Sequence, residues 1–340
     1  MKQATFRVDS SAKIGAGHLM RCLTLADELI KFGYEATFIC RNLSGNLIAM
    51  INHKVITLPR NNNFESDDLY LSWLGATQKQ DAIQTISVIS NNVDLLIIDS
   101  YALDEVWHQE LRQHAKKLMV IDDLANKKFN CDILLNQNLG CRLEDYQNNV
   151  PSDCDLLLGC NYALLRQEFS ELREEALSKR ENTKEIKSIL VSVGGSDPDN
   201  IIYDILQQID NRYSVKVAIL KDSPHNEVIK NYAKNRDIEI IIDADNMAEL
   251  MLKADLAIGA SGSSSWERCC MGLPTLLIVA EDNQRKIAES LTQLGAVKII
   301  KDLSKDLSTI SDEFMIWRDM SAKAQEVCDG MGSKIVSQLL

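Results

Sequence analysis

The chain has 340 residues, a length typical of two domains, and 45% of them are hydrophobic, which is ordinary for a globular protein. Asp and Glu together (49) outnumber Lys and Arg (37), so the formal net charge is −12 at pH 7. So acidic a surface repels phosphate backbones and anionic lipid headgroups, and we expect neither a nucleic-acid partner nor a membrane partner. It does not exclude a small phosphorylated ligand, because helix N-termini and backbone amides bind anions without net positive charge.

The N-terminal sequence and the cysteines bear on the cellular compartment. Residues 1–7 contain no apolar core of signal-peptide length, and the longest apolar runs, such as residues 95–98, are too short to cross a bilayer. The nine cysteines are an odd number and are scattered along the chain. We therefore expect a cytoplasmic protein with reduced cysteines, most of them buried as small hydrophobic side chains.

In the first half, short apolar runs alternate with stretches of helical period, which is typical of a parallel sheet wrapped by helices. The predicted strands cover residues 5–8, 36–40, 55–58, 95–99, 118–121, 133–135 and 156–158. Between the first two strands, apolar side chains recur at i, i+3 and i+4 spacing. This spacing predicts an amphipathic helix over residues 19–30, which Gly33 would end.

A polar, strongly charged stretch without strand signal follows at residues 166–187 and predicts a helical connector. The alternation then restarts, with strands predicted at residues 188–193, 215–220, 238–242, 256–258, 275–279 and 297–300. Residues 311–340 have a helical period. The sequence therefore predicts an α/β protein with two Rossmann-like domains, residues 1–165 and 188–310, followed by a helical tail over residues 311–340.

Ligands of open α/β sheets bind where strands end and loops lead into helices, and the loop before the first helix is the first such place. Gly15 and Gly17 allow a tight turn and a close approach of the backbone to a ligand. His18 stands at the predicted start of the helix, where the positive end of the helix dipole favours a neutral imidazole that can act as a base. The plainer alternative is that His18 caps the helix or fills space.

The same loop can be compared with a dinucleotide-binding fingerprint. Its spacing, Gly15-x-Gly17-x-x-Met20, lacks the third glycine. The second strand ends in Cys40 and Arg41 rather than in an acid that would bind a ribose. Arg41 suits a 2′-phosphate, but the missing glycine argues against a nicotinamide cofactor.

Two loops of the second half also follow strands and contain small polar residues. Gly194, Gly195 and Ser196 are suited to an amide-lined phosphate cradle, although their sequence is equally typical of an ordinary turn. Residues 261–264 supply hydroxyl groups that cap a helix or donate to phosphate oxygens. Glu267, in the first helical turn, suits the vicinal hydroxyls of a ribose. A serine-rich helix cap is the alternative explanation there.

Polar residues also end two apolar strands of the first half. Ser100 and Tyr101 follow one strand and Asp122 and Asp123 follow the next, so all four are expected at the same sheet edge as His18. Adjacent carboxylates suggest a metal, but neighbouring side chains usually point apart and no third ligand has a suitable spacing, so we predict a metal-free site. The cysteines at 131, 141, 154 and 160 lack C-x-x-C spacing, which argues against zinc.

Eight segments occur in the chain in the order RVDSSAKIGAGHLMRCLTLA, IIDSYALD, VIDDLA, CDILLNQN, YALLRQEF, VSVGGSDP, ADLAIGASGSSSWERCCMGLP and AEDNQ. Together they resemble the UDP-2,4-diacetamido-2,4,6-trideoxy-β-L-altropyranose hydrolase family of pseudaminic acid biosynthesis. The resemblance implies a glycosyltransferase-B fold, in which two Rossmann-like domains face each other across a cleft. It further implies a hydrolysis that needs no metal and no cofactor, cleaves the bond between sugar C1 and oxygen, and inverts C1.

The resemblance assigns roles to individual residues. The family's G-x-G-H histidine falls on His18, its tyrosine after the D-x-Y strand on Tyr101, and its late polar segment on Asn283 and Gln284. We therefore expect His18, Tyr101 and Asn283 to be catalytic, and the second half to bind UDP with its uracil near Met247. The predicted substrate-binding residues are Gly15, Gly17, Arg21, Gly194, Gly195, Ser196, Met247, Ser261, Gly262, Ser263, Ser264, Glu267 and Gln284.

Three other functions remain open from the sequence. They are a UDP-sugar glycosyltransferase of the same fold, a hydrolysing UDP-sugar 2-epimerase, and a non-catalytic UDP-sugar-binding protein. The acidic composition gives little support to the basic, apolar patch that a lipid-linked acceptor would need. The predicted partners are therefore a UDP-sugar substrate and the UDP product, and the sequence does not indicate an oligomeric state.

Overall fold

The structure, a computed structural model, describes residues 1–61, 63–90, 92–194, 197–279 and 284–340. The chain forms two compact units, the first containing Met1–Leu164 and Gly332–Leu340 and the second containing Leu165–Met331. Each unit contains one sheet whose strands are parallel, and helices form most of the connections between consecutive strands. The α/β fold predicted from the alternating pattern is therefore confirmed.

Within the described residues, seven strands form the sheet of the first unit: Lys2–Val8 (β1), Tyr34–Arg41 (β2), Lys54–Leu58 (β3), Val93–Asp99 (β4), Ala115–Ile121 (β5), Ile133–Asn136 (β6) and Asp155–Leu158 (β7). Their order across the sheet is β3-β2-β1-β4-β5-β6-β7. The helices of this stretch are Gly17–Lys31 (α1), Leu69–Leu74 (α2), Gln78–Val88 (α3), Glu105–Leu111 (α4) and Leu143–Tyr146 (α5). Strand order reverses between β1 and β4, which is where ligands bind in open α/β sheets.

Helix α1 forms because its apolar side chains share one face. Leu19, Cys22 and Leu25 are buried together with side chains of β1 and β2 in one hydrophobic core. The helix ends at Lys31, and Gly33 has a φ of +82°, a left-handed conformation that commonly ends helices and favours glycine. The predicted stop at Gly33 is confirmed.

In the second unit, the described strands are Ser188–Ser192 (β8), Ser214–Ile219 (β9), Ile238–Ile242 (β10), Leu256–Ala260 (β11), Thr275–Ile278 (β12) and Val297–Ile299 (β13). Their order is β10-β9-β8-β11-β12-β13, so the strand order reverses between β8 and β11. The remaining helices are Gln167–Asn182 (α6), Ile201–Gln208 (α7), Asn226–Ala233 (α8), Met247–Lys253 (α9), Ser264–Cys270 (α10), Arg285–Gln293 (α11), Leu303–Asp312 (α12), Phe314–Val327 (α13) and Gly332–Leu339 (α14).

The stretch predicted as a helical connector packs as part of the second unit. Helix α6 buries Phe169 and Ala176. The buried guanidinium of Arg180 donates to the backbone oxygens of Met251 (2.7 Å) and Ala254 (2.5 Å) at the end of α9. A few inward side chains therefore fix a helix whose sequence is mostly charged. The predicted tail is divided as well, because α13 lies in the second unit and α14 in the first.

The described helices and the cysteines can be compared with the sequence predictions. None of the helices in the described part of the chain is long and apolar enough to span a bilayer. All nine cysteines are free thiols, and all except Cys141 and Cys154 are buried, which confirms the prediction that most of them pack as small hydrophobic side chains.

A buried charge network ties the central strands of the first unit to α3. Arg7 on β1 and Arg41 on β2 each place Nη2 2.6 Å from the same oxygen of Asp81, and all three side chains are almost wholly buried. The indole of Trp107 donates to the other Asp81 oxygen over 3.0 Å. Burial raises the pKa of Asp81, but the two arginines lower it by more, so the carboxylate stays ionised. Asp9 extends the network to the pocket described below, because it accepts from Nη1 of Arg7 over 2.7 Å.

Asp81→Asn should lower the free energy of unfolding by about 3–5 kcal/mol, because the buried guanidinium of Arg41 loses its carboxylate partner and that of Arg7 keeps only Asp9. The control is Asp27→Asn, at a carboxylate that is 69% exposed and pairs with His53, where the loss should stay below about 1 kcal/mol. Urea unfolding measures both. Since the folded-state pKa of Asp81 is lowered, its effect should be full above about pH 5 and shrink as the pH falls below about 4. Equal losses in the two variants would contradict this account of the network.

Candidate active site

The site of the first unit lies where the adjacent strands β1 and β4 both end. Val8, the last residue of β1, pairs in register with Asp99, the last residue of β4. The connections that follow these strands therefore start side by side. They bring together two predicted catalytic residues, because the rings of His18 and Tyr101 meet edge to face with centroids 4.7 Å apart.

The buried carboxylate of Asp99 is the centre of this site. Its Oδ1 lies 2.5 Å from Nδ1 of His18, and Arg21 binds its two oxygens through Nη2 and Nε, each at 2.6 Å. So short a nitrogen–oxygen contact indicates a hydrogen bond, and we assign its hydrogen to Nδ1 as the donor to Asp99. The neutral tautomer that carries this hydrogen has a lone pair on Nε2. Asp99 lies in a strand-end segment that the sequence places at this sheet edge, but no catalytic or binding role is predicted for it. Arg21, predicted to bind substrate, directs Nε and Nη2 to Asp99, and its role toward the substrate stays a prediction.

Asp99 remains ionised in these surroundings. Burial raises its pKa, but Arg21 and His18 outweigh burial and hold the pKa well below the ordinary value for aspartate. The pKa of Arg21 is raised in turn, because the attraction of Asp99 outweighs the desolvation of the guanidinium. Asp99 and Arg21 therefore form an ion pair with no net charge. The carboxylate of this pair is the hydrogen-bond acceptor that lies beside the imidazole of His18.

Tyr101 is held as a protonated side chain. Burial raises its pKa well above the ordinary value, the nearby Asp123 carboxylate raises it further, and Arg21 opposes both effects. The Tyr101 hydroxyl therefore stays a hydrogen-bond donor at neutral pH. Arg21 also lies near Asp123, with Nη1 3.9 Å from its Oδ2. The site thus combines an imidazole, a phenol hydroxyl donor and a fixed ion pair at one edge of the sheet.

A shallow, open pocket lies beside these residues, and its lining includes His18, Asp99, Ser100 and Tyr101. The loop that precedes α1 borders it and is shaped by Gly15, whose φ of +80° favours glycine and whose N–H donates to the Ser11 carbonyl over 2.8 Å. Gly17, the other glycine predicted to bind substrate, is the exposed first residue of α1.

The adjacent carboxylates of Asp122 and Asp123 have separate roles. Oδ2 of Asp122 accepts from the amides of Leu124 (3.1 Å) and Ala125 (2.8 Å) and from the Tyr146 hydroxyl (2.9 Å), so it stabilises a turn. Asp123 instead faces Arg21 and Tyr101. Within the part of the chain that the structure describes, no group of three His, Cys, Asp or Glu side chains is placed to hold a metal ion.

In the second unit, the loops after β8 and β11 also start from neighbouring strands, since Ser192 pairs in register with Gly259. Gly194 has a φ of +72°, and a Cβ there would meet open space. Asp197 caps α7 by accepting from the amides of Ile201 (2.8 Å) and Ile202 (3.1 Å). Three predicted site residues lie outside the described residues: Gly195, Ser196 and Asn283.

The serine-rich loop after β11 has an inner and an outer side. Ser261 is buried and donates from Oγ to the Gln284 carbonyl over 3.1 Å, which joins this loop to the start of α11. Ser264 accepts from Nη1 of Arg268 over 3.1 Å. Ser263 is exposed, and a Cβ on Gly262 would meet open space. The four predicted residues, 261–264, therefore lie in one loop, in which Gly262 and Ser263 are accessible to a ligand.

Arg268 supports this loop and is not among the predicted residues. Its buried guanidinium donates to the Ala260 carbonyl over 2.7 Å and to the Ser265 hydroxyl over 3.1 Å. A Cβ on Gly259 would lie only 2.9 Å from the Arg268 guanidinium and 2.4 Å from the Ser192 carbonyl, so the close approach requires glycine. Burial lowers the pKa of Arg268 to about 10, which still leaves it charged at neutral pH.

Glu267 and Met247 complete the predicted residues of the second unit. The Glu267 side chain is 22% exposed, and its Oε1 lies 4.0 Å from Nη2 of Arg166, which also pairs with Glu168 at 2.9 Å. The pKa of Glu267 is raised above its ordinary value, because the effect of burial is larger than the opposing effects of Arg166 and Arg268. Met247 is half-buried as the first residue of α9.

Comparisons with known proteins confirm the resemblance found in the sequence. Residues 169–327 match the profile described as the glycosyltransferase family 28 C-terminal domain. The UDP-2,4-diacetamido-2,4,6-trideoxy-β-L-altropyranose hydrolase of Campylobacter jejuni is 29% identical over 85% of this chain and 96% of its own length. An uncharacterised protein of Methanocaldococcus jannaschii is 30% identical over 82% of this chain, which spans 56% of that longer relative.

Solved structures show the same fold. MurG from Acinetobacter baumannii matches over 100% of this chain and 99% of its own, with a TM-score of 0.63 and 15% identity. The MnaA–UDP complex of S. aureus matches over 99% of this chain and 95% of its own, with a TM-score of 0.65 and 12% identity. The predicted glycosyltransferase-B fold is therefore confirmed.

The tautomer of His18 can be tested by ¹H–¹⁵N spectra of the histidine side chains. His18 should carry its hydrogen on Nδ1, and Asp99→Asn should remove that hydrogen-bonded resonance. His108 is an internal control with the opposite tautomer, because its Nδ1 accepts from the Asn130 amide and burial lowers its pKa to about 3. A wild-type His18 protonated on Nε2 alone, or a spectrum unchanged by Asp99→Asn, would contradict the assignment.

Proposed function

We propose that this chain is a cytoplasmic enzyme of pseudaminic acid biosynthesis that hydrolyses UDP-2,4-diacetamido-2,4,6-trideoxy-β-L-altropyranose to UDP and the free sugar. The observation that carries the proposal is the buried His18–Asp99 pair, 2.5 Å apart and joined by Arg21, beside a pocket that Tyr101 also lines. The similarity to the Campylobacter hydrolase supports the choice of substrate. The glycosyltransferase-B fold supports a nucleotide-sugar ligand.

The arrangement favours His18 as a general base. Asp99 accepts the Nδ1 hydrogen, so Nε2 is free to take a proton from a water molecule. The water oxygen bonds to sugar C1 as the bond from C1 to the UDP oxygen breaks, and the electron pair leaves with UDP. Attack from the face opposite UDP inverts C1. Asp99 and Arg21 position the imidazole and stabilise the imidazolium, while Tyr101 and Asn283 position the sugar or the water.

The second unit is proposed to bind UDP. Backbone amides of Gly194, Gly195, Ser196 and residues 261–264 would face the diphosphate, with Glu267 on the ribose and the backbone near Met247 on uracil. The open space at Gly194 and Gly262 supports this assignment, because a ligand can approach the backbone there. UDP leaves readily once its developing charge is stabilised, so donors at the diphosphate matter more than a general acid. No metal ion is needed in this mechanism.

Incubation with the UDP-sugar in deuterated buffer alone separates the candidate functions. A hydrolase releases UDP without an acceptor, incorporates no deuterium at sugar C2, and keeps its rate in EDTA. UDP release that depends on an added acceptor would instead indicate a glycosyltransferase. Deuterium at C2 would indicate an epimerase, and UDP-sugar binding without turnover would indicate a binding protein.

Two substitutions should separate catalysis from nucleotide binding. His18→Asn should lower kcat by about 10²–10⁴-fold, the usual effect of losing a general base, and leave the affinity for UDP unchanged. Glu267→Gln should raise KM with little change in kcat, because the ribose contact is made before and during the reaction alike. Steady-state kinetics and calorimetry with UDP measure these effects. A His18→Asn variant with near-normal turnover would rule out the proposed base.

A further inference from the structure

The pocket of the first unit is lined by polar and by aromatic side chains. The polar ones include His18, Asp99 and Ser100. The aromatic wall, as we call the pair Tyr70 and Trp73, consists of two lining residues to which neither the motifs nor the mechanism assigns a role. A pocket lined by both kinds of side chain suits a ligand that carries both polar and apolar groups.

The aromatic wall adjoins Tyr101, one of the proposed catalytic residues. The ring of Tyr70 lies 5.3 Å from that of Tyr101, and the ring of Trp73 meets Tyr70 edge to face at 5.4 Å. The ammonium of Lys127 lies 5.6 Å from the centre of the Tyr70 ring and donates to the Tyr101 carbonyl over 2.7 Å. The two rings are therefore positioned relative to the site where the sugar would react.

The local structure holds this wall in place. Helix α2 begins after Asp68, which accepts from the Leu71 amide over 2.9 Å, and ends at Gly75, whose φ is +70°. Leu74 is buried and anchors the short helix in the core of the unit. Tyr70 and Trp73 are three residues apart, so both rings lie on one face of the helix.

The exposure of Trp73 also needs an explanation. The chain has four tryptophans, and the other three, Trp107, Trp266 and Trp317, are fully buried. Trp73 is partly exposed, although it lies beside a pocket and belongs to a well-anchored helix. A partly exposed aromatic pair at a concave site is typical of a ligand-binding surface rather than of a core.

We propose that Tyr70 and Trp73 determine specificity by packing against apolar substituents of the sugar, such as a deoxy carbon or an acetamido methyl group. The proposal rests on the proposed function, in which the sugar occupies this pocket. A methyl group gains contact with the rings, whereas a hydroxyl in the same place loses its bonds to water. The polar lining residues, which include His18, would then receive the part of the sugar that carries C1.

Binding of non-hydrolysable analogues tests the proposal without turnover. The probes are UDP, the C-glycosidic analogue of UDP-N-acetylglucosamine, and its 6-deoxy counterpart, compared by calorimetry. The wild type should prefer the 6-deoxy analogue by about tenfold or more, the discrimination that one group in an apolar pocket commonly provides. Trp73→Ala and Tyr70→Ala should reduce the preference to about twofold and leave the affinity for UDP unchanged.

Matched variants keep the test independent of folding. Leu69→Ala removes a 57% exposed apolar side chain from the same helix and should retain the wild-type preference. Trp73→Phe keeps a ring and should retain most of it. Absence of a preference in the wild type, or an undiminished preference in both alanine variants, would overturn the inference even if UDP is released from the substrate. A preference in a protein that never releases UDP would support the inference and contradict the proposed hydrolysis.

Discussion

The ion pair between Asp99 and Arg21 is the interaction on which the candidate active site depends. Without the guanidinium, burial would raise the pKa of Asp99 and weaken it as a fixed acceptor. With Arg21 bound to both oxygens, the carboxylate stays ionised and holds His18, 81 residues away in the sequence, at 2.5 Å. The proposed base therefore owes its tautomer and its orientation to the Asp99–Arg21 pair. Tyr101 completes the arrangement by packing its ring edge to face with the imidazole.

Much of the fold follows from the sequence for identifiable physical reasons. Strand β4 (Val93–Asp99) is a nearly continuous apolar run because it lies in the middle of a sheet that is covered on both faces. Gly33 marks the end of α1 because the backbone there is left-handed. The meeting of His18 and Tyr101 could also be predicted, since the carboxyl ends of parallel strands share one edge of the sheet.

Other features depend on contacts that no local pattern encodes. Asp99 ends a predicted strand, but its pairing with His18 follows from strand order and from the register that sets it opposite Val8. The same holds for Arg180, whose burial in a charged helix depends on carbonyl groups more than seventy residues away. Trp73 lies on a helix too short to show a clear period, so its place at the pocket emerges only from the structure. The role predicted for Asn283 remains a prediction, because that residue lies outside the described part of the chain.

The stereochemistry of the first product tests the central claim most directly, because a water activated by His18 on the face opposite UDP must invert C1 and give its oxygen to the sugar. The measurement is an NMR time course of the UDP-sugar reaction in ¹⁸O-labelled water. We predict that the α anomer appears before mutarotation, with the label on the sugar C1 oxygen and none on UDP. Initial formation of the β anomer, or label in the phosphate of UDP, would contradict the account.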